Sequence, residues 1–208
     1  LLEEPPHGAV FLLVSHQPNR LLPTIRSRCR DLRLLPLSST DLSAALTQAG
    51  AGIAPEDAQP LAELAGGSVG EAFRLTHAEG IETYAGLLQL FKTLPRLDRH
   101  AALALAETGA GKGGADRFDL LIGLVDQFLG RLARAGTIGA APPEAAPDEA
   151  QIISRLSPDP GAARLWAELA QTLTQRARRG RAVNLDPAAL LMDILLRIDE
   201  TAGALARR

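Results

Sequence analysis

The stretch LLPTIRSRC, Leu21 to Cys29, sets two arginines, Arg26 and Arg28, around a serine and ahead of the chain's single cysteine. Guanidinium groups in that position have two uses. In one they pair with nearby carboxylates, which contributes little at a solvated surface. In the other an arginine is offered to a neighbour's phosphates, where its permanently charged planar fork stabilises charge on a transferring phosphoryl group. Ser15 stands upstream, at the C-terminal end of the apolar run GAVFLLVSH, Gly8 to His16. The carboxyl ends of parallel strands are where α/β sheets hold ligands, so Ser15, Arg26 and Arg28 make the first candidate constellation.

Other stretches carry weaker signals. TGAGKGG, Thr108 to Gly114, resembles a phosphate loop but has Ala106 where the earlier glycine belongs and Gly113 where a hydroxyl residue should hold magnesium. An Ala/Leu-rich helical pattern precedes it instead of a strand, so it reads as a flexible loop between helices. The basic run Arg176, Arg178, Arg179 and Arg181 suits either DNA phosphates or the C-terminal end of a helix, where the macrodipole favours cations. Trp166 fits a core or an interface. Glu56 and Glu63 have no converging partner for acid–base work. Cys29 has no second cysteine, and His7, His16, His77 and His100 lack zinc-ligand spacing. No complete active site assembles from these residues, so the chain by itself is not read as a catalyst.

The elements that must position the arginines follow from pattern and totals. The 208 residues are 46% hydrophobic and 22% charged, which fits a folded chain with one to three small domains. Apolar stretches are too short and interrupted to span a membrane. One cysteine fits a reducing, cytoplasmic setting. A net charge of −2 makes the whole chain a poor match for DNA, so any such contact would be local. With 3% aromatics and abundant Ala and Leu, helices are favoured over sheets.

Gly8 to His16 reads as a strand buried on both faces, and Cys29 to Leu37 as a second strand in which Leu32 and Leu34 alternate with Asp31 and Arg33. Two strands make no stable doubly covered sheet. Residues 1–36 therefore read as the tail of an α/β domain, with LLEEPP the end of a crossover helix, and the initial Leu1 suggests a fragment. From Ser38 the period turns helical. SSTDLSAALTQAG, APEDAQPLAELAGG and GSVGEAFRLTHAEG give three short helices, a lid-sized unit over residues 37–79. Longer helices fill residues 80–208. One places Leu120, Leu121, Leu124, Val125, Phe128, Leu129 and Leu132 on one stripe, and the last opens at Asp186 and Pro187. AAPPEAAPDEA, Ala140 to Ala150, reads as a linker-like loop between helices.

The opening third carries a resemblance. LLEEPP, followed by VFLLVSHQPNRLLPTIRSRCRDLRLLPL, closely resembles the sensor-1 and SRC segment of the AAA+ clamp-loader subunits of bacterial DNA polymerase III. LAGGSVGEAFRL and the terminal NLDPAALLMDILL resemble the family's lid and last collar helix more weakly. The resemblance implies a mostly α chain: the tail of an AAA+ domain over 1–36, a three-helix lid over 37–79 and a helical collar over 80–208. It places Ser15 at sensor 1 and Arg28 at the SRC arginine, which acts in trans on a neighbouring subunit's ATP, with Arg26 accessory and Cys29 a packed thiol. Implied partners are gamma/tau and delta subunits, with the sliding clamp and primed DNA reached through the complex. No cofactor falls to this segment, ATP and magnesium belonging to neighbours. The family's ATPase subunits carry a lid arginine after Gly-Ser-x, where this chain has Gly70. Arg74, one turn on, is the other cation near that place. This departure favours a subunit that does not hydrolyse ATP over a gamma/tau-type motor; a purely structural helical module, in which Arg28 does nothing catalytic, is the other alternative.

Overall fold

The computed structural model describes residues 2, 4, 6–15, 17–110 and 113–207. Two compact units divide the chain, one to Leu35 and one from Pro36.

Among the described residues the first unit holds one 3₁₀ turn, Pro18–Arg20, and one short helix, α1 (Pro23–Arg26). Both open on proline, whose fixed φ suits the first helical position. Among the described residues there is no strand, which corrects both strand expectations. Val10, Leu12 and Val14 are 83%, 87% and 89% exposed, and Leu32 and Leu34 are exposed as well. A doubly buried strand needs neighbours on its edges and helices on its faces. The described residues supply neither, because from Ser39 the regular elements are helices. His16 lies outside the described residues. The expected crossover helix is corrected too: Leu2, Glu4 and Pro6 are not helical, and the rest of LLEEPP lies outside the described residues. The Gly111 and Lys112 part of the glycine-rich loop also lies outside it.

The second unit begins with α2 (Ser39–Gln48), α3 (Ala58–Ala65) and α4 (Val69–His77). Ser38 caps α2 by accepting from Asp41 N, and Ser68 caps α4 by accepting from Glu71 N. Leu42 and Leu46 of α2, Leu61 and Leu64 of α3 and Leu75 of α4 close a common apolar interior. Gly67 joins α3 to α4 with φ +70, and its carbonyl accepts from Leu37 N at 3.1 Å. A Cβ there would stand 2.5 Å from Leu37 N, so only glycine fits this approach.

Among the described residues six helices follow: α5 (Gly80–Lys92), α6 (Arg99–Glu107), α7 (Gly114–Ile138), α8 (Glu149–Leu156), α9 (Pro160–Ala182) and α10 (Pro187–Ala206). Asp98, Asp159 and Asp186 cap α6, α9 and α10 by accepting from backbone N–H groups of the first turn. The long α7 packs chiefly on α9, α10 lies on α6 and α9, and α8 sits on α5 and α7. The interior stripe of α7 is the one the sequence implies, from Leu120 to Leu132, and Phe128 stacks on Phe91 of α5 at 4.8 Å. Trp166 is fully buried and donates to Leu156 O at 2.8 Å, which settles it as core. The supposed linker is shorter and better fixed than its composition suggests, since Glu149 and Ala150 belong to α8 and Ala145 and Ala146 are buried. No described helix is long and apolar enough to cross a membrane.

Candidate functional site

The candidate constellation sits in the first unit, and α1 is what positions it. Leu22 in an extended conformation and Pro23 at the first position start the helix, and Ile25 is its half-buried residue. Ser27 N closes the turn on Pro23 O at 2.9 Å, and Arg28 and Cys29 follow with N–H groups bound to Ile25 O. Arg26 and Arg28 thus emerge at and just beyond the helix C-terminus, where positive charge is favoured. Both are exposed. Arg28 Nη1 donates to Thr24 O at 3.0 Å and approaches Ser27 Oγ at 3.4 Å, so its guanidinium is held along the helix flank. Cys29 is half-buried.

Ser15 is exposed, and its Oγ accepts from Gln17 N at 3.3 Å. The unit also presents Arg20, Arg30 and Arg33 on exposed positions, so the segment is cationic around α1 although the whole chain is not. Such a surface favours an anionic partner without choosing it. Among the described residues no group of histidine, cysteine or carboxylate side chains could hold a metal ion.

The lid arginine question gains geometry. Arg74 binds Glu71 of its own helix through two hydrogen bonds, Nε to Oε2 at 3.0 Å and Nη2 to Oε1 at 2.6 Å. That hydrogen bond raises its pKa despite partial burial, with added help from the charges of Glu71 and Asp119. Its fork is therefore already engaged with a carboxylate. At Gly70 there is no side chain to replace it.

The basic run at the end of α9 divides. Arg176 pairs with Asp193 of α10, and Arg181 pairs with Asp119 of α7. Arg178 and Arg179 remain on the exposed face. Half of the run therefore ties helices together, a use that neither the DNA reading nor the helix-end reading named.

Sequence reasoning missed a polar centre buried in the helical unit. Arg131 lies in the interior of α7, 1% exposed, with Glu149 at 0% and Tyr84 at 0%. Arg131 Nε donates to Glu149 Oε1 at 2.5 Å and Nη2 to Oε2 at 3.1 Å, while Nη2 also donates to Pro143 O. Tyr84 Oη donates to Glu149 Oε1 at 2.5 Å, and Ala145 N donates to Oε2 at 2.6 Å. Arg131 Nη1 reaches Glu63 Oε2 at 3.4 Å. Burial alone would lower the arginine's pKa, but the hydrogen bonds and charge of Glu149 outweigh it and raise it. The signal in sequence was a charge in an apolar stripe: Arg131 continues the series Leu124, Phe128 and then Ala135.

Residues 1–38 match the family model described as DNA polymerase III, delta subunit. Over 204 residues, 94% of its length, the chain is 34% identical to the DNA polymerase III subunit delta' of Pseudomonas aeruginosa. Over 101 residues, 48% of its length, it is 34% identical to the DNA polymerase III subunit delta' of Bacillus subtilis. The matched regions span 58% and 30% of those two proteins. No solved structure matches the chain significantly. The match to the family model falls on the segment that holds Ser15, Arg26 and Arg28, and the longer one runs on through the helical unit. The chain belongs to the delta-prime family of DNA polymerase III subunits.

Proposed function

We propose that the chain is part of a clamp-loader subunit of DNA polymerase III, one that helps to load the sliding clamp on primed DNA without hydrolysing ATP itself. Arg28 is its contribution to chemistry. In the assembled loader it reaches in trans to the γ-phosphate of ATP held with magnesium by a gamma/tau-type neighbour, and stabilises the charge that develops as the phosphoryl group transfers. Arg26 supports it from the adjacent turn, and Ser15 takes the sensor-1 place. Helices α2–α4 are the lid, and α5–α10 the collar that joins the gamma/tau and delta subunits.

The observation that carries the reading is Arg28 itself, exposed just past the end of α1 in the segment matched by the family model. Gly70, with Arg74 engaged by Glu71, supports a subunit that does not read ATP of its own. Substituting Arg28→Ala in the assembled loader should preserve assembly and reduce DNA-stimulated ATPase activity roughly 10³-fold. An unchanged rate would remove the trans role and leave only a structural one.

A further inference from the structure

The chain passes from α4 to α5 through Ala78 and Glu79, beside the packing of Leu75 on Gly80, and Glu79 adopts φ 53 and ψ 45, a left-handed conformation uncommon outside glycine. The hydroxyl of Thr83 donates to Glu79 O at 2.6 Å, fixing the α5 side of this joint. Away from the joint, a polar link crosses from the three-helix group to α7: Glu63 of α3 to Arg131.

The two carboxylates on Arg131 are unequal. Glu149 takes Nε and Nη2, has no exposed side-chain surface and is anchored by Tyr84 and Ala145. Glu63 takes only Nη1 at 3.4 Å, and its side chain is 23% exposed against 2% for Arg131. The other oxygen of Glu63 accepts from Gln59 Nε2 of its own helix at 3.0 Å. If Glu63 departs, Arg131 keeps a full counter-charge and Glu63 keeps a partner at the surface. No charge is stranded in the interior, the event that makes breaking a buried pair costly. Arg74 repeats the arrangement: its Nη2 lies 3.7 Å from where a Cβ on Gly123 of α7 would stand, yet its carboxylate partner, Glu71, is on α4. Both polar approaches to α7 can separate without losing their own-helix partners.

We propose that Glu63–Arg131 is a releasable latch that holds α2–α4 against α7, with Glu79 as the pivot. Arg131 has two jobs: its Glu149 side is a permanent pin within α5, α7 and α8, and its Glu63 side is the catch. The latch is a property of these helices and does not depend on the role of Arg28.

Amide hydrogen exchange on the full chain tests it, comparing wild type with Glu63→Ala, Glu63→Gln and Gln59→Ala. Glu63→Ala should speed exchange of α2–α4 amides about tenfold, the loss of one hydrogen bond to a charged group, and leave α7–α10 unchanged. Glu63→Gln, which keeps shape and an acceptor but not charge, should fall between, and Gln59→Ala should match wild type. Unchanged exchange in α2–α4 would overturn the latch, and so would an equal rise in every helix, which makes Glu63 an ordinary stabilising residue. Should Glu63→Ala not fold, Glu63→Gln decides by the same criterion.

Discussion

Tyr84 gives its hydroxyl hydrogen to Glu149 Oε1 at 2.5 Å, and both side chains are wholly buried beneath α5, α7 and α8. Burial raises the phenol's pKa first, and the charge and hydrogen bond of Glu149 raise it further above its ordinary 10.0. A raised folded value means the contribution to stability is complete below the unfolded pKa and is lost as pH climbs above it. Tyr84 is the chain's one tyrosine, so its titration can be read without interference. Phenolate absorbance near 295 nm should be absent while the fold persists past pH 10 and should appear together with alkaline unfolding, followed by Trp166 fluorescence. A gradual phenolate signal in folded protein would contradict the buried contact.

Removing Arg131 while leaving Glu149 buried should be severe. Arg131→Met strands a carboxylate that retains only Tyr84 and Ala145 as donors, a change that costs about 3–5 kcal/mol. Exchanging both, with Arg131→Met and Glu149→Leu, should recover much of that loss, because the interior then holds no unmatched charge. Urea unfolding of the two variants checks this. Equal losses in both would mean the network is not electrostatically coupled.

The helices were legible because their periodicity and caps are local. Ser68, Asp98 and Asp186 each accept the backbone bonds that their positions imply. The apolar stripe of α7 was legible for the same reason, but its charged member was not, since Arg131 finds its partners 18 and 68 residues away, in Glu149 and Glu63. Glu149 was further hidden in a Pro- and Ala-rich stretch that composition alone makes a linker. The runs at Val10–Val14 and Leu32–Leu35 show the opposite failure. Their pattern suits strands, but a strand is a relation to neighbours, and among the described residues no strand stands beside either run. Nothing local marks Arg28 off from Arg26 as the arginine proposed to act in trans; that distinction came from family resemblance alone.

Asp193 should give a measurable pH dependence. Partial burial pushes its carboxyl upward, but hydrogen bonds from Arg176 and Arg197, with their charges, bring it below its ordinary 3.8. A lowered folded value contributes stability above the unfolded pKa and loses it as pH falls through the folded one. Asp193→Asn should therefore destabilise the protein at pH 7, by about 1 kcal/mol or less because all three groups are substantially solvated. The difference from wild type should shrink to nothing as pH drops below 3.8. A difference that stays constant down to acid pH would show that the carboxylate's charge is irrelevant.

The most direct test of the clamp-loader reading is light scattering of the 208-residue chain mixed with a gamma/tau-type subunit in the absence of nucleotide. A stoichiometric complex at micromolar concentration is the predicted result, since helices α5–α10 would carry the permanent contacts. Two species that remain separate would contradict the collar assignment and leave Arg28 without a neighbour to serve.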